Sequence, residues 1–540
     1  MTPVNVIRTG LKNLEKKYYV CFLSGLICGI AAHIYAMCNL LYNADCLEYT
    51  PLGYGTGIRQ GRFTLTMTGE VVKAVLGNTF TLPFINVILV IFLMATAACL
   101  IVDAFNINEP LYAGLAGALM TVFPSITCEI FFLYLAPYHA LGLFFSCFAG
   151  FIIVKNYPKL FKIIVGIIAL TYATGMYQTS FIPAVAVIVG FLCIKYIRGC
   201  IENDESLSFV TELKTCIGYC IYLSVSMVFY LIGSKVALFI THTEMMSHQG
   251  LDKMGKMSIT DAFIGVYRAY KVYFKQLYTN VYELNPTAVT KVSLFVLGYI
   301  VFIYALFLVW KIGKNKLMNI LCTITVVIFP LAVNLTQVMA VNAVNRYSMM
   351  MFSNVFIYIV PLAIIEYLSE KLFVKNVANN TKLQNSNIFS AVLGWSGMIL
   401  AALSICIFIW FDNGNYQALQ YTNEHDLAYY QTLMTQIKSL DGYNDDLPYI
   451  VLGQFEDKTN TAGGLIDNYF NMDGKTKSNT DQYSSWNILI NRLGFRAEKL
   501  FDDDSEAYFS SLDEVKEMPC YPDDGAIKII DNVIVIKLSE

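Results

Sequence analysis

Eleven apolar runs constrain this chain more than any other feature. They fall at 20–41, 82–104, 111–136, 138–154, 160–174, 179–197, 213–239, 291–310, 317–338, 349–368 and 388–411. A helix needs about 20 apolar residues to cross a bilayer, with a range of about 17–25. Most of the runs have that length; the three between 138 and 197 are shorter. The expectation is a polytopic α-helical membrane protein of about 11 spans. Composition agrees, since 56% of the 540 residues are hydrophobic and only 14% charged, against about 25% charged in soluble domains. Those figures exclude a disordered chain, a collagen-like repeat and a nucleic-acid binder with a basic face. Pro124 and Pro137 break the third region and predict a kink toward its outer end.

The first run is too long for the 7–15-residue apolar core of a cleaved signal and follows polar residues, so it reads as a signal anchor. Lys and Arg gather in alternate short loops: Arg8, Lys12, Lys16 and Lys17; Lys155, Lys159 and Lys162; Lys195 and Arg198; Lys311, Lys314 and Lys316; Lys371, Lys375 and Lys382. The positive-inside rule makes these loops, and the N-terminus, cytoplasmic. The turn around Asp103 and Glu109 is the exception. An odd span count then places the C-terminal segment outside, with loops 42–81 and 240–290 and the turn at Arg346. Residues 412–540 carry 23 Asp and Glu against 10 Lys and Arg, a net −13, while the rest of the chain is +10. This asymmetry marks a second domain. We therefore read 1–411 as a transmembrane domain and 412–540 as an extracytoplasmic α+β domain. In the latter, Tyr416, Leu419, Leu427, Tyr430, Leu433 and Ile437 recur at helical spacing, and 448–452 has strand character. Two strands flank a tight turn at Asp531–Asn532. Most of the 14 cysteines lie in apolar runs as small hydrophobes. Cys46 and Cys520 both fall in external segments, but sequence supplies no geometry for pairing them.

Chemistry is most concentrated in the first external loop. Asp45 follows the first span closely and is placed to act as a general base toward a sugar hydroxyl. Glu48 stands three residues on, so one helical turn would put both carboxylates on one face, where they could split their pKa values or hold a divalent metal. Arg59 and Arg62 share the same spacing; an Arg fork suits phosphate. The plainer reading is that Asp45 and Arg62 pair with each other or face water. Glu129 is an ionisable residue in an apolar stretch, a functional candidate or a wetted helix end. Tyr177 and Gln178 form an outer turn that could hold sugar hydroxyls or be merely polar. Asn345, Arg346 and Tyr347 form another, with Arg346 a lipid-phosphate clamp or an interfacial anchor. His33 reads as a packed polar residue. His242, Glu244 and His248 fit no strong metal pattern. Tyr267, Arg268, Tyr270, Lys271, Tyr273, Phe274 and Lys275 make a basic–aromatic amphipathic stretch, expected to lie along the outer interface as an anchor or as a guide for a lipid-linked substrate.

Taken in order, these features resemble the type II Gtr glucosyltransferases, a bacterial family with the GT-C membrane fold. The resemblance rests on Asp45 and Glu48 ahead of Gly61-Arg62-Phe63, on Gly175-Met-Tyr177-Gln178-Thr-Ser, on Asn345-Arg346-Tyr347, and on Pro519-Cys-Tyr521-Pro522-Asp-Asp-Gly525 with the strands ending Val535-Ile536-Lys537-Leu538. It implies an inverting hexosyltransferase that moves a hexose, usually glucose, from a polyprenyl-phosphate carrier to a cell-surface glycan at the outer face of the cytoplasmic membrane. Under it, Asp45 and Glu48 are catalytic, Arg59, Arg62 and Arg346 bind the donor phosphate, and Glu129, Tyr177, Gln178, Asn345 and Tyr347 contact sugar or acceptor. No cofactor is implied with certainty; a divalent metal stays open. The rival reading is a transporter or flippase of lipid-linked sugars. The absence of a detectable inverted repeat weighs against it.

Overall fold

The computed structural model describes residues 14–43, 45–46, 57–77, 81–246, 258–343, 345–378, 384–453, 470, 472, 488–489, 492–496, 498, 500 and 503–539. The chain forms two compact units, 1–39 with 51–413, and 40–50 with 414–540.

The first unit is helical. Its helices are α1 (Lys16–Cys38), α2 (Phe63–Leu76), α3 (Pro83–Ala104), α4 (Pro110–Val122), α5 (Pro124–Phe131), α6 (Ala136–Val154), α7 (Lys159–Met176), α8 (Ile182–Glu202), α9 (Phe209–Ile240), α10 (Ile259–Lys275), α11 (Ala288–Phe295), α12 (Val301–Ile312), α13 (Lys316–Val333), α14 (Thr336–Met339), α15 (Phe356–Ala378) and α16 (Gln384–Lys438). Among the described residues, 11 helical stretches are long and apolar enough to span a bilayer, the number the apolar runs predict. Proline opens α3, α4, α5, α6 and α8, where its missing N–H costs nothing. Pro124 also divides the third span. Phe123 before it is extended, at φ −66° and ψ 133°, because the proline ring disfavours the helical region for its predecessor. Small residues set the closest packing. A Cβ on Gly117 of α4 would meet the Cys21 carbonyl of α1 at 2.1 Å, so only glycine permits that approach. His33 sits at the same seam, fully buried, with Nε2 2.8 Å from the Thr121 carbonyl, a packed polar residue.

The third span and the tenth, which runs from the turn at Ser348–Val355 into α15, are almost wholly buried, whereas α9 is mostly exposed. The centre of the unit is thus α4, α5 and α15, with apolar side chains such as Leu23, Phe92, Ile168 and Phe229 turned outward, as in a bundle solvated by lipid. The loops after the first, third, fifth, seventh and ninth spans are separated by even numbers of crossings and share one end of the bundle. The opposite end holds the basic loops. There Lys155 pairs with Asp103 at 3.0 Å and Lys195 with Glu212 at 2.7 Å. The acidic exception in the loop pattern is therefore a partner for a neighbouring lysine.

In the second unit, strand β1 (Tyr449–Leu452) pairs parallel with β3 (Val533–Lys537), which pairs antiparallel with β2 (Ile527–Ile530). Asp531 and Asn532 turn the hairpin at φ 50° and 59°, the left-handed pair that a two-residue turn requires and that Asp and Asn tolerate. The sheet packs Ile450, Leu452, Val533 and Val535 against Phe509, Val515 and Met518. The Lys537 ammonium, buried, donates to the carbonyls of Val515, Lys516 and Met518. Tyr42 and Asn423 bond reciprocally, Tyr42 N to Asn423 Oδ1 at 3.0 Å and Asn423 Nδ2 to the Tyr42 carbonyl at 2.8 Å, which holds Tyr42 on α16. No disulfide joins Cys46 to Cys520. The helix expected over 416–440 is present but is not separate from the last span; α16 runs through both without a break.

Candidate active site

Five loops meet at the end of the first unit opposite Lys155 and Lys195. The turn Gly57–Gln60 and the start of α2 bring in Arg59 and Arg62. Met246 N donates to the Arg59 carbonyl at 2.9 Å, and Gln178 Nε2 donates to the Gln60 carbonyl. Gly61 has φ +74°, and a Cβ there would lie 2.8 Å from the Tyr230 hydroxyl and 3.1 Å from Gln178 Nε2. The turn is thus glycine-dependent on two counts, backbone conformation and space. Phe63 stacks on Tyr230, with ring centroids 6.2 Å apart, and Thr64 Oγ1 donates to the Tyr172 carbonyl at 2.8 Å. These contacts fix Arg62 between α2 and the turn after α7.

The Arg62 guanidinium lies 4.8 Å from the centre of the Tyr177 ring, a cation–π contact. The same ring stacks on His139, with centroids 4.4 Å apart and planes 21° from parallel. His139 Nδ1 is 2.6 Å from Glu129 Oε2, and both side chains are 1% exposed. A carboxylate at Nδ1 makes that nitrogen the proton donor. Glu129, Arg62 and Tyr347 all bear electrostatically on the Tyr177 hydroxyl. The break between α5 and α6, at residues 132–135, makes the Glu129–His139 contact: it turns the chain so that a residue near the end of one helix faces one on the first turn of the next.

Among the described residues, several buried polar atoms here have no hydrogen-bond partner: Glu129 Oε1, His139 Nε2, Ser125 Oγ, Ser180 Oγ and Arg62 Nε. Asp412 is fully buried beside Thr127. Ser125 and Glu129 share one face of α5 by their i, i+4 spacing. An orphaned buried polar atom costs about 1–3 kcal/mol, so these atoms are available to bond a water or a polar ligand beside α5.

Each residue named from sequence can now be located. Arg62, Glu129 and Tyr177 come together. Gln178 is buried nearby, with its amide committed to the Gln60 backbone. Arg59 is exposed. Asn345 is exposed and Arg346 half-buried, with Arg346 Nη2 donating to the Ala340 and Val341 carbonyls at 2.6 and 3.0 Å. Tyr347 is half-buried on the Tyr177 side. Asp45 is half-buried in a helical turn with Cys46 and belongs to the second unit. Glu48 lies outside the described residues, as does His248. Sequence reasoning passed over His139, Arg268 as a partner of Arg346, and Asp412. The signal for His139 was an imidazole just past the Pro-marked break that follows Glu129. Among the described residues no three or more His, Cys, Asp or Glu gather as a metal site.

No curated protein and no solved structure matches the chain. The family model for glucosyl transferase GtrII matches residues 34–358. That stretch holds Arg62, Tyr177, His139 and Glu129, each in contact with the next, and it is more than half of the sequence. A membrane bundle with this polar cluster at one end, matched over that length, belongs to the GtrII glucosyl transferase family.

Proposed function

We propose that this glycosyltransferase moves a glucosyl group from a polyprenyl-phosphate carrier to a cell-surface glycan, with inversion, at the outer face of the bacterial cytoplasmic membrane. The bundle of 1–411 would be the catalytic domain, of GT-C type, and 412–540 an extracytoplasmic domain. The observation that carries the reading is the Arg62–Tyr177–His139–Glu129 assembly. It joins a cation suited to a phosphate and a buried carboxylate–imidazole pair at one end of a lipid-solvated bundle.

The chemistry follows from the residues. The acceptor oxygen attacks C1 of the sugar on the face opposite the phosphate. The C1–O bond to phosphate breaks, and its electron pair leaves with the phosphate, which gains negative charge. Arg62 and Arg346, with Arg59 at the rim, stabilise that charge, most effectively next to low-dielectric surroundings. The acceptor proton passes to Asp45, oriented by Glu48. Glu129, through His139, holds Tyr177 and offers its unpartnered oxygen to a sugar hydroxyl, and Gln178, Asn345 and Tyr347 complete the sugar and acceptor contacts.

The test is direct. Detergent-solubilised protein given polyprenyl-phosphate glucose and an acceptor glycan should release polyprenyl phosphate and form a product of inverted anomeric configuration. Consumption of donor only in sealed vesicles would indicate a flippase, and a retained configuration would remove the single-displacement mechanism.

A further inference from the structure

Arg346 is not alone at its turn. The Val341 carbonyl accepts from Arg346 Nη2 at 3.0 Å and from Arg268 Nη1 at 2.9 Å. One carbonyl oxygen has two lone pairs, so it holds two guanidinium groups side by side. Neither arginine is paired with a carboxylate among the described residues. Arg346 Nε is buried and has no hydrogen-bond partner. Burial lowers the pKa of Arg346, Tyr282 opposes that shift, and Arg268 adds to it. Two like charges held together with donors to spare favour an anion beside them.

The elements around the pair point to the source of that anion. Arg268 rides on α10, which begins with a capping box of Ser258 and Asp261 and buries Gly265, Ala269 and Tyr273. A Cβ on Gly265 would stand 2.7 Å from Val338 Cα, so glycine lets α10 lie directly on α14, the short helix ahead of the turn that carries Arg346. The opposite side of α10 exposes Ile259, Phe263, Tyr267 and Phe274. A helix with an apolar outer stripe and a cationic flank lies in a bilayer interface. The anion that meets Arg268 and Arg346 therefore arrives on a lipid.

We propose that Arg268 and Arg346 form a two-guanidinium site for a lipid-borne phosphate, with α10 as its membrane-facing wall. The inference rests on the donor proposed above and adds Arg268 as a binding residue for it. The phosphate belongs either to the polyprenyl-phosphate carrier or to an ordinary anionic phospholipid of the same leaflet. Both chemistries fill the same fork, and experiment separates them.

The full-length protein in neutral detergent is titrated with polyprenyl phosphate, with phosphatidylglycerol and with inorganic phosphate, and binding is read from the shift in thermal unfolding. Wild type should bind at least one of the two lipids far more tightly than inorganic phosphate. Arg268→Gln should weaken that lipid by about tenfold or more. Arg268→Lys, which keeps the charge and loses the fork, should weaken it by about threefold. The double change Arg268→Gln with Arg346→Gln should cost less than the product of the single losses, because both act on one group. Loss of polyprenyl phosphate binding assigns the site to the carrier, and loss of phosphatidylglycerol binding alone assigns it to bulk lipid. Unchanged affinity for both lipids in Arg268→Lys overturns the site, and that variant decides if Arg268→Gln does not fold. Transfer assays keep the two readings apart. If wild type transfers glucose while Arg268→Lys leaves the affinity for both lipids unchanged, only this inference fails; if wild type binds the lipid but transfers nothing, only the donor reading fails.

Discussion

Glu129 and His139 give the clearest case of a residue whose environment assigns it work. With 1% exposure on both sides of a 2.6 Å contact, the pair has no water to fall back on, and loss of either partner leaves the other's polar group buried. Glu129→Gln keeps the shape and replaces a charge-assisted bond by a neutral one. We expect transfer to fall about tenfold or more and stability by about 1–3 kcal/mol, checked by kcat and thermal unfolding. His139→Phe keeps a ring against Tyr177 and removes the bond to Glu129. Wild-type turnover in that variant would reduce the pair to packing. Asp45→Asn should abolish transfer while donor binding persists, since a general base supplies about 10²–10⁴-fold in rate; near-normal turnover would move the role to Glu48 or Glu129. The sequence showed Glu129 because a carboxylate in an apolar run stands out. It did not show His139, because the two are ten residues apart, a separation that helix spacing does not bring together. The irregular turn at 132–135 makes the contact, and irregular turns have no period to read.

At the scale of the element, the legible parts were those governed by local rules. Asp531–Asn532 announced a hairpin because few residue pairs accept two positive φ angles. Pro124 announced the break between α4 and α5 because the ring acts on its own predecessor. The helix of the last span continues past the end of its apolar run at 411 for the converse reason. Asp412, Asn413 and Asn415 follow that run, yet polarity by itself breaks no helix. Asn413 Nδ2 reaches the Ala31 and Ile409 carbonyls at 2.9 and 2.8 Å, and Asn415 Oδ1 accepts from Met472 N at 3.2 Å, so α16 continues. The glycine-dependent turn at 57–61 makes a prediction of its own kind. Gly61→Ala places a methyl group against Tyr230 and Gln178 and forces φ +74° on an L side chain. Strain of this sort costs about 1–3 kcal/mol. The expected result is a lower unfolding temperature and a transfer rate that falls with it, since Arg62 is the next residue. An unchanged rate with reduced stability would separate the turn's folding role from the placement of Arg62.

At the scale of the whole molecule, the question is which end of the bundle faces the cytoplasm. In and beside the loops after the even-numbered spans lie Lys155, Lys159, Lys162, Lys195, Arg198, Lys311, Lys314 and Lys316. Lys155 and Lys195 are tied there by Asp103 and Glu212. The loops after the odd-numbered spans hold the cluster of Arg62, Glu129, His139 and Tyr177 and the Arg268–Arg346 pair. Basic residues in short loops are retained on the cytoplasmic side, so the candidate site should open to the outside, where a lipid-linked sugar and a surface glycan can meet. Eleven spans carry the same parity to the acidic segment that follows. In a variant stripped of its 14 native cysteines, a membrane-impermeant thiol reagent applied to intact cells should label Ser505→Cys and leave Asn156→Cys unlabelled until the membrane is opened. Labelling of position 156 alone would reverse the bundle, put the cluster in the cytoplasm and require a cytoplasmic acceptor. Labelling of both would break the parity argument and remove one of the 11 helices from the membrane.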